Sequence, residues 1–322
     1  MQVLVIGANG FVGAAVCRKL SDAGLRVRAT CAPGSPRRDA PVDWIEADLD
    51  DPHAVARAAE GCDAALHLDA HDLDLPRAEA LRHGIARVRA LLDGAERARV
   101  RRFIHTGCAC ALGRPTHPAT ERDALIPGRS RHPRPDAQLA IEWEVLAANS
   151  YAMTTSTLLP ALVAGPGAPP RGVAALIDAL IRAQLPALPR ASLPLVDLRD
   201  LADAHLAALQ RARPAQRYAL AASPIDLSDL ARAVADATRA TPPRLDLDLP
   251  DLPRWLERAA PALARLYPPA AAALDLLTLM PAEIDAAKAR LELAFNPRHP
   301  LVTVQDTIAS LTGDARQGLR PA

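Results

Sequence analysis

Aromatic residues are almost missing: Phe, Tyr and Trp occur three times each in 322 residues. That scarcity excludes the stacking platforms on which single-stranded nucleic acid is held. Lysine is scarcer still, with Lys19 and Lys288 alone, so nearly every basic side chain is Arg. Neither sign of charge dominates. The 38 basic and 37 acidic residues leave a formal net charge of +1, which offers no attraction to nucleic acid or to an anionic membrane surface. No apolar run is long enough to span a bilayer, and no basic segment precedes the N-terminal apolar stretch, so neither a membrane span nor a secretory leader is expected. The five cysteines (Cys17, Cys31, Cys62, Cys108, Cys110) form no CxxC pair and no even framework. An odd set in a chain of this size fits a reducing compartment, and a cytoplasmic location is expected. The spacing of His105, Cys108 and Cys110 is not that of a zinc site, and no metal is expected.

Half of the residues are hydrophobic, enough for one large domain or two that share a core. The first thirteen organise the rest. Residues 3–6 are an apolar run of strand formers that breaks at Gly7; from Ala14 the pattern turns helical, with Val16 and Leu20 on one face and Arg18 and Lys19 opposite. A buried strand passing through Gly7, Gly10 and Gly13 into a helix is how a dinucleotide pyrophosphate is held. The first glycine makes the tight turn, the second lets backbone approach phosphate, and the third lets the helix pack on the strand.

The alternation continues along the chain. Strands are predicted at 25–30, 42–47, 64–68, 103–106 and 151–159, with helices from Pro52 to Ala59 and over 81–98. Such an order specifies right-handed βαβ crossovers and a parallel sheet covered on both faces. Helices are predicted at 173–183, 200–210 and 227–240, a short strand at 195–196, and a smaller, mostly helical portion from about 241. The end of the second strand, Thr30-Cys31-Ala32, lacks the acid that would bind an NAD ribose 2′-OH. Arg37 and Arg38 follow in a Pro/Gly loop. Either they meet a 2′-phosphate, which favours NADP, or they are two solvated loop arginines.

Several stretches together resemble the extended short-chain dehydrogenase/reductase superfamily, in its NAD-dependent epimerase/dehydratase, dihydroflavonol-reductase-like branch. They are the glycine turn, Ala47-Asp-Leu-Asp-Asp51, Glu60-Gly-Cys-Asp-Ala-Ala-Leu-His67, Arg102-Phe-Ile-His-Thr106 and Ala111-Leu-Gly113. Later stretches are Leu159-Pro-Ala-Leu-Val-Ala-Gly-Pro-Gly167, 195–205 and 287–295. The resemblance implies an α/β fold, a Rossmann-like doubly wound parallel sheet with a smaller, mostly helical C-terminal substrate portion. Residues 1–165, with a returning segment near 195–220, would form the dinucleotide-binding domain; 166–194 and 221–322 would form the substrate portion. The cofactor, NADP(H) or NAD(H) with NADP slightly favoured, would be held by Gly7, Asn9, Gly10, Phe11, Val12, Gly13, Arg37, Asp48, Leu49, His67, Thr106 and Pro160. A small-molecule substrate is implied, and a homodimer, since relatives are often dimers.

The family's chemistry needs a Tyr to pass a proton, a Lys four residues later to lower the Tyr pKa and hold the nicotinamide ribose, and a Ser or Thr to orient the carbonyl. The helix that normally follows that Lys is matched by Ile141-Glu-Trp-Glu-Val-Leu146. Counting back puts Gln138 at the Lys position, Arg134 at the Tyr position and Cys108 at the Ser position. No shift of alignment restores the pair. The residues four after Tyr151, Tyr218 and Tyr267 are Thr155, Ala222 and Ala271. Arg stays protonated and can polarise an oxyanion without shuttling a proton; Gln carries no charge to tune a neighbour. Losing positioned acid–base catalysis costs on the order of 10²–10⁴-fold.

The cofactor side also departs from the family. Asp69 stands where a small apolar residue is usual, and Gly84-Ile-Ala-Arg-Val88 replaces Asn-Val-x-Gly-Thr. Cys108 is either a small buried residue or a thiolate that needs a cation, for which Arg134 is the candidate. Asp200 and His205 match a run that packs the two parts of the fold together. With few aromatics the substrate pocket would be lined by Leu, Ala, Pro and Val, favouring an apolar or bulky substrate. Three readings stand open. One is a divergent oxidoreductase with Arg134 as oxyanion donor and Cys108 as polar contact. The others are a catalytically silent nucleotide sensor or scaffold, and a redox-neutral isomerase or cyclase.

Overall fold

The structure, a computed structural model, describes residues 1–35, 37, 42–68, 75–128, 130, 132–169, 171–185, 187–243, 245–247 and 275–317. Its strands are β1 (Gln2–Ile6), β2 (Arg26–Cys31), β3 (Asp43–Glu46), β4 (Ala64–His67), β5 (Arg102–Thr106) and β6 (Thr154–Pro160). Short pieces follow at β7 (Leu162–Ala164), β8 (Ala187–Pro189), β9 (Ser192–Leu193) and β10 (Leu195–Asp197). β11 (Gln216–Leu220), β12 (Ile225–Asp226) and β13 (Leu245–Leu247) complete the set. The helices are α1 (Phe11–Asp22), α2 (Pro52–Ala59), α3 (Arg77–Arg97), α4 (Pro133–Ala147), α5 (Val173–Ile181), α6 (Leu198–Arg211), α7 (Leu227–Thr238), α8 (Ala287–Leu293) and α9 (Pro300–Gln317).

Seven strands form one sheet in the order β11-β6-β5-β4-β1-β2-β3, every neighbouring pair parallel. Successive side chains of β1 go to opposite faces, as a pleated strand requires. Val3 and Val5 share a core with Val16, Cys17 and Leu20 of α1 and with α6, whereas Leu4 and Ile6 share one with Val55, Leu91 and Ile141 from α2, α3 and α4. Helices therefore cover both faces, and the fold is a Rossmann-like α/β sheet with a helical C-terminal portion. The chain winds outward one way through β1, β2 and β3 and the other way from β4, so the crevice for a ligand opens between the carboxyl ends of β1 and β4.

Local chemistry explains the element ends. Asp51 caps α2 by accepting from the N–H groups of His53 and Ala54 at 2.9 and 3.2 Å, with Pro52 at the first helical position. Two predicted elements move. The sixth strand begins at Thr154 rather than 151, because Ser150 Oγ accepts from Met153 N in a turn and Tyr151 lies wholly exposed. The third helix begins four residues early, at Arg77, whose guanidinium meets Asp136 and the Ser130 carbonyl across α4. The returning segment supplies a full edge strand, β11, paired with β6.

The C-terminal portion is fastened by ion pairs. Asp197, with a fully buried side chain at the N-terminus of α6, accepts from Arg199 N at 2.8 Å and from Thr303 Oγ1 of α9 at 2.9 Å. Arg199 also reaches Asp306 at 2.6 Å, and Arg298 donates its N–H to Asp200 at 2.7 Å while its guanidinium rests on the same carboxylate.

Candidate functional site

Gly7 leaves β1 with φ 88°, a left-handed conformation that a side chain resists. Its carbonyl accepts from Gly10 N at 3.0 Å, and α1 starts at Phe11 and Val12 with the first backbone N–H groups facing the turn's end. A Cβ on Gly10 would stand 3.2 Å from the Gly7 oxygen; one on Gly13 would overlap that oxygen and come within 2.7 Å of Ala8 Cα. Helix and strand meet closely enough to leave no room for a methyl group there.

Gly7, Asn9, Asp48 and Leu49 of the expected set line a cavity of about 310 Å³ above the sheet's carboxyl edge. Thr30 also lines it; its hydroxyl is buried and has no partner among the described residues. Such an oxygen fits a ribose hydroxyl, the group the end of this strand meets in a dinucleotide fold. Arg37 is exposed, sits outside that lining, and places Nη2 3.1 Å from Glu46 Oε1. Arg38 and Asp69 lie outside the described residues. Arg87, which sequence reading noted only as a departure from Asn-Val-x-Gly-Thr, enters the cavity wall from α3, gripped by both oxygens of Asp50.

At the end of β5 the chain enters a 3-10 turn over Ala109–Leu112, and Cys108 precedes it. Cys110 N donates to Cys108 Sγ at 3.3 Å. The Cys110 thiol donates to the same sulfur, and with that backbone N–H and the Arg134 charge it holds the Cys108 thiol below its ordinary range; burial pushes the Cys110 thiol well above. Arg134 is exposed on the first turn of α4. Gln138, one turn on, is 6% exposed, and its Oε1 lies 3.5 Å from where a Cβ on Gly107 would stand. That buried oxygen has no partner among the described residues.

Thr106 Oγ1 is 2.6 Å from His205 Nε2, and His205 Nδ1 is 2.7 Å from the Leu201 carbonyl. A carbonyl only accepts, so Nδ1 carries the proton and Nε2 accepts from the threonine hydroxyl. Burial pushes this imidazole down to about 4, keeping it neutral. His67 is fully buried, its Nδ1 3.0 Å from that of His105, so its side chain faces the neighbouring strand and its backbone is what remains for the crevice. Pro160 ends β6 in register with Leu220 of β11 and lies outside the lining of the cavity beside the glycine turn.

A second cavity, of about 360 Å³, adjoins Pro135 of α4 and Cys110. Its wall mixes Leu112, Ile126 and Leu279 with Asp123, His132 and Thr278, more polar than composition alone suggests. His132 stands at the start of α4, two residues before Arg134. Its Nε2 lies 3.2 Å from Thr278 Oγ1, whose own proton goes to the Asp275 carbonyl, so His132 is the donor. Sequence reading missed His132; its signal was position, just ahead of Pro133 at a helix start. Asp123 is held below the usual carboxylate range, chiefly by the Thr120 N–H at 2.8 Å.

Residues 3–221 match the NAD dependent epimerase/dehydratase family. A protein of Synechocystis sp. (strain ATCC 27184 / PCC 6803 / Kazusa), provisionally named as a dihydroflavonol 4-reductase, is 29% identical over 317 residues, covering 90% of this chain and 88% of that one. The 2-alkyl-3-oxoalkanoate reductase of Stenotrophomonas maltophilia (strain K279a) is 32% identical over 182 residues, 52% of each chain. The crystal structure of gox2253 overlays with a TM-score of 0.82 at 27% identity, covering 98% of both chains. With its parallel sheet, glycine turn and matched stretches, the chain belongs to the NAD-dependent epimerase/dehydratase family of the extended short-chain dehydrogenase/reductase superfamily, and is reductase- and epimerase-like.

Proposed function

We propose that this chain binds NADP(H) or NAD(H) and reduces a small, rather apolar carbonyl compound, or oxidises the matching alcohol, without the family's Tyr/Lys pair. The observation that carries the reading is a pair of buried oxygens, Thr30 Oγ1 and Gln138 Oε1, unpartnered among the described residues. The first lies beside the glycine turn; the second stands at the position where relatives hold the nicotinamide ribose. Each would accept from a ribose hydroxyl. When bound, the nicotinamide supplies or takes up a hydride.

The chain's own groups do the rest. Arg134 donates to the developing alkoxide and stays charged throughout. Cys108 contacts the same oxygen, and His132, the imidazole in the substrate-side wall, delivers the proton that Arg134 cannot give. Residues 1–165 and the return near 195–220 supply the nucleotide side; 166–194 and 221–322 supply the substrate side, to which Thr278 and Leu279 contribute. For NADP, Arg37 would exchange Glu46 for the 2′-phosphate. The reductase names of two relatives support the reaction class.

Titration of NADPH and NADH by fluorescence tests the reading, followed by carbonyl-dependent oxidation across a panel of apolar ketones. Micromolar binding with turnover is expected. Absence of binding overturns it, and binding without turnover replaces it with the nucleotide-sensing alternative.

A further inference from the structure

Cys17, Cys31, Cys62 and Cys110 are buried, and Cys108 is half-buried at the end of β5. The reduction proposed above uses Cys108 only as a polar contact and Cys110 not at all. Yet the two thiols share one turn. Cys110 presents both its backbone N–H, 3.3 Å away, and its S–H to Cys108 Sγ, and the Arg134 guanidinium acts on the same sulfur. Donors and a cation gathered on a sulfur favour the thiolate, the form that attacks electrophiles. The other buried thiols go the opposite way: burial pushes Cys17 up to about 12 and raises Cys62.

The spacing permits a bond between the two. Residues two apart span at most about 7 Å, and a 3-10 turn at the second shortens the reach. A disulfide bridges Cα atoms within roughly 4.4–6.8 Å. Cys110 lines the substrate-side cavity and Cys108, bonded to it in the same turn, is half-buried, so a small diffusing oxidant can reach the turn.

We propose that Cys108 and Cys110 form a peroxide-reactive dithiol site in the wall of the candidate cleft, with Cys108 the attacking sulfur and Cys110 the resolving one. The Cys108 thiolate attacks one peroxide oxygen; the S–O bond forms, the O–O bond breaks, and hydroxide leaves to be protonated as water. The Cys110 thiol then attacks the sulfenic sulfur, an S–S bond forms, and a second water leaves. The hydroperoxide is reduced by two electrons, and two thiols are oxidised. The disulfide occupies the sulfur that would contact substrate, so the oxidised protein loses that contact until a thiol reductant restores it.

The experiment uses the reduced full chain and needs no substrate. Iodoacetamide at neutral pH, followed by peptide mapping, is expected to label Cys108 about ten-fold faster than Cys17 or Cys62. Near-stoichiometric hydrogen peroxide is expected to remove the mass of two hydrogens from the peptide spanning 108–110, reversibly with dithiothreitol. In Cys110→Ser, peroxide is expected to leave a sulfenic acid at Cys108 that dimedone traps. Slower or equal labelling of Cys108 overturns the proposal. So does a wild-type chain in which peroxide leaves both thiols intact or carries Cys108 to sulfinic acid without a disulfide. None of these readouts depends on nucleotide binding, so the reading above can fail separately.

Discussion

Asp50 grips Arg87 at two points, its oxygens 2.8 and 2.9 Å from Nε and Nη2, and the pair stands at the rim of the cavity that Gly7 opens. The bidentate pair holds the guanidinium plane at the cavity wall, beside which the proposed dinucleotide would lie. An aromatic base stacks well on such a plane. Arg87→Ala is expected to weaken AMP and NADPH binding alike by roughly ten-fold with the melting temperature little changed. Arg87→Lys recovers little, because an ammonium has no plane. Calorimetric titration with AMP checks this, and equal affinities for wild type and both variants refute it.

Arg134 and Gln138 occupy successive turns of α4, where the proposed reading puts the counterparts of the family's Tyr and Lys. The double variant Arg134→Tyr, Gln138→Lys is expected to raise NADPH-dependent carbonyl reduction by about 10²-fold or more. Steady-state kinetics on the best ketone of the panel measures it. No gain, with nucleotide binding preserved, would show that more than these two groups separates this site from its relatives.

His205 makes stability depend on pH. Unfolded, the imidazole takes a proton near its ordinary 6.5; folded, burial delays protonation to about 4. Its folded value is depressed, so its contribution is complete above pH 6.5 and is lost as pH falls towards 4. The total is about 3 kcal/mol. Urea unfolding across that window should show the loss in wild type and a flatter profile in His205→Gln.

Glu142 is fully buried and receives Arg217 Nε at 2.6 Å and Thr157 Oγ1 at 3.0 Å. The same guanidinium donates to the carbonyls of Glu121 and Asp123, and Asp123 lines the second cavity. Glu142→Ala leaves a largely buried cation without its carboxylate and is expected to cost about 3 kcal/mol, read by denaturant unfolding. Adding Arg217→Met should return much of it, since removing both charges avoids the orphan.

What could be read in the chain was what depends on neighbours in sequence. Gly7, Gly10 and Gly13 announce the turn because backbone freedom and close approach are local demands, and the apolar runs of β1, β4 and β5 announce buried strands. β11 escaped because Gln216 and Arg217 look solvent-facing; Arg217 turns inward because Glu142, 75 residues earlier, and the Glu121 and Asp123 carbonyls receive it. The shift of α3 has the same origin in Arg77 and Asp136. Arg87 and His132 were missed for a related reason. Their cavities are assembled from segments far apart, Asn9 with Asp48 and Arg87 in one, Cys110 with His132 and Thr278 in the other.

Asp200 depends on Arg298, 98 residues later, whereas Asp197 is met at once by Arg199 and only afterwards also by Thr303. On the ribosome, α6 would therefore hold Asp200 without its cation until the stretch around Arg298 had emerged. The start of α6 is in this sense completed from a distant stretch of the chain, with α9 as its latch.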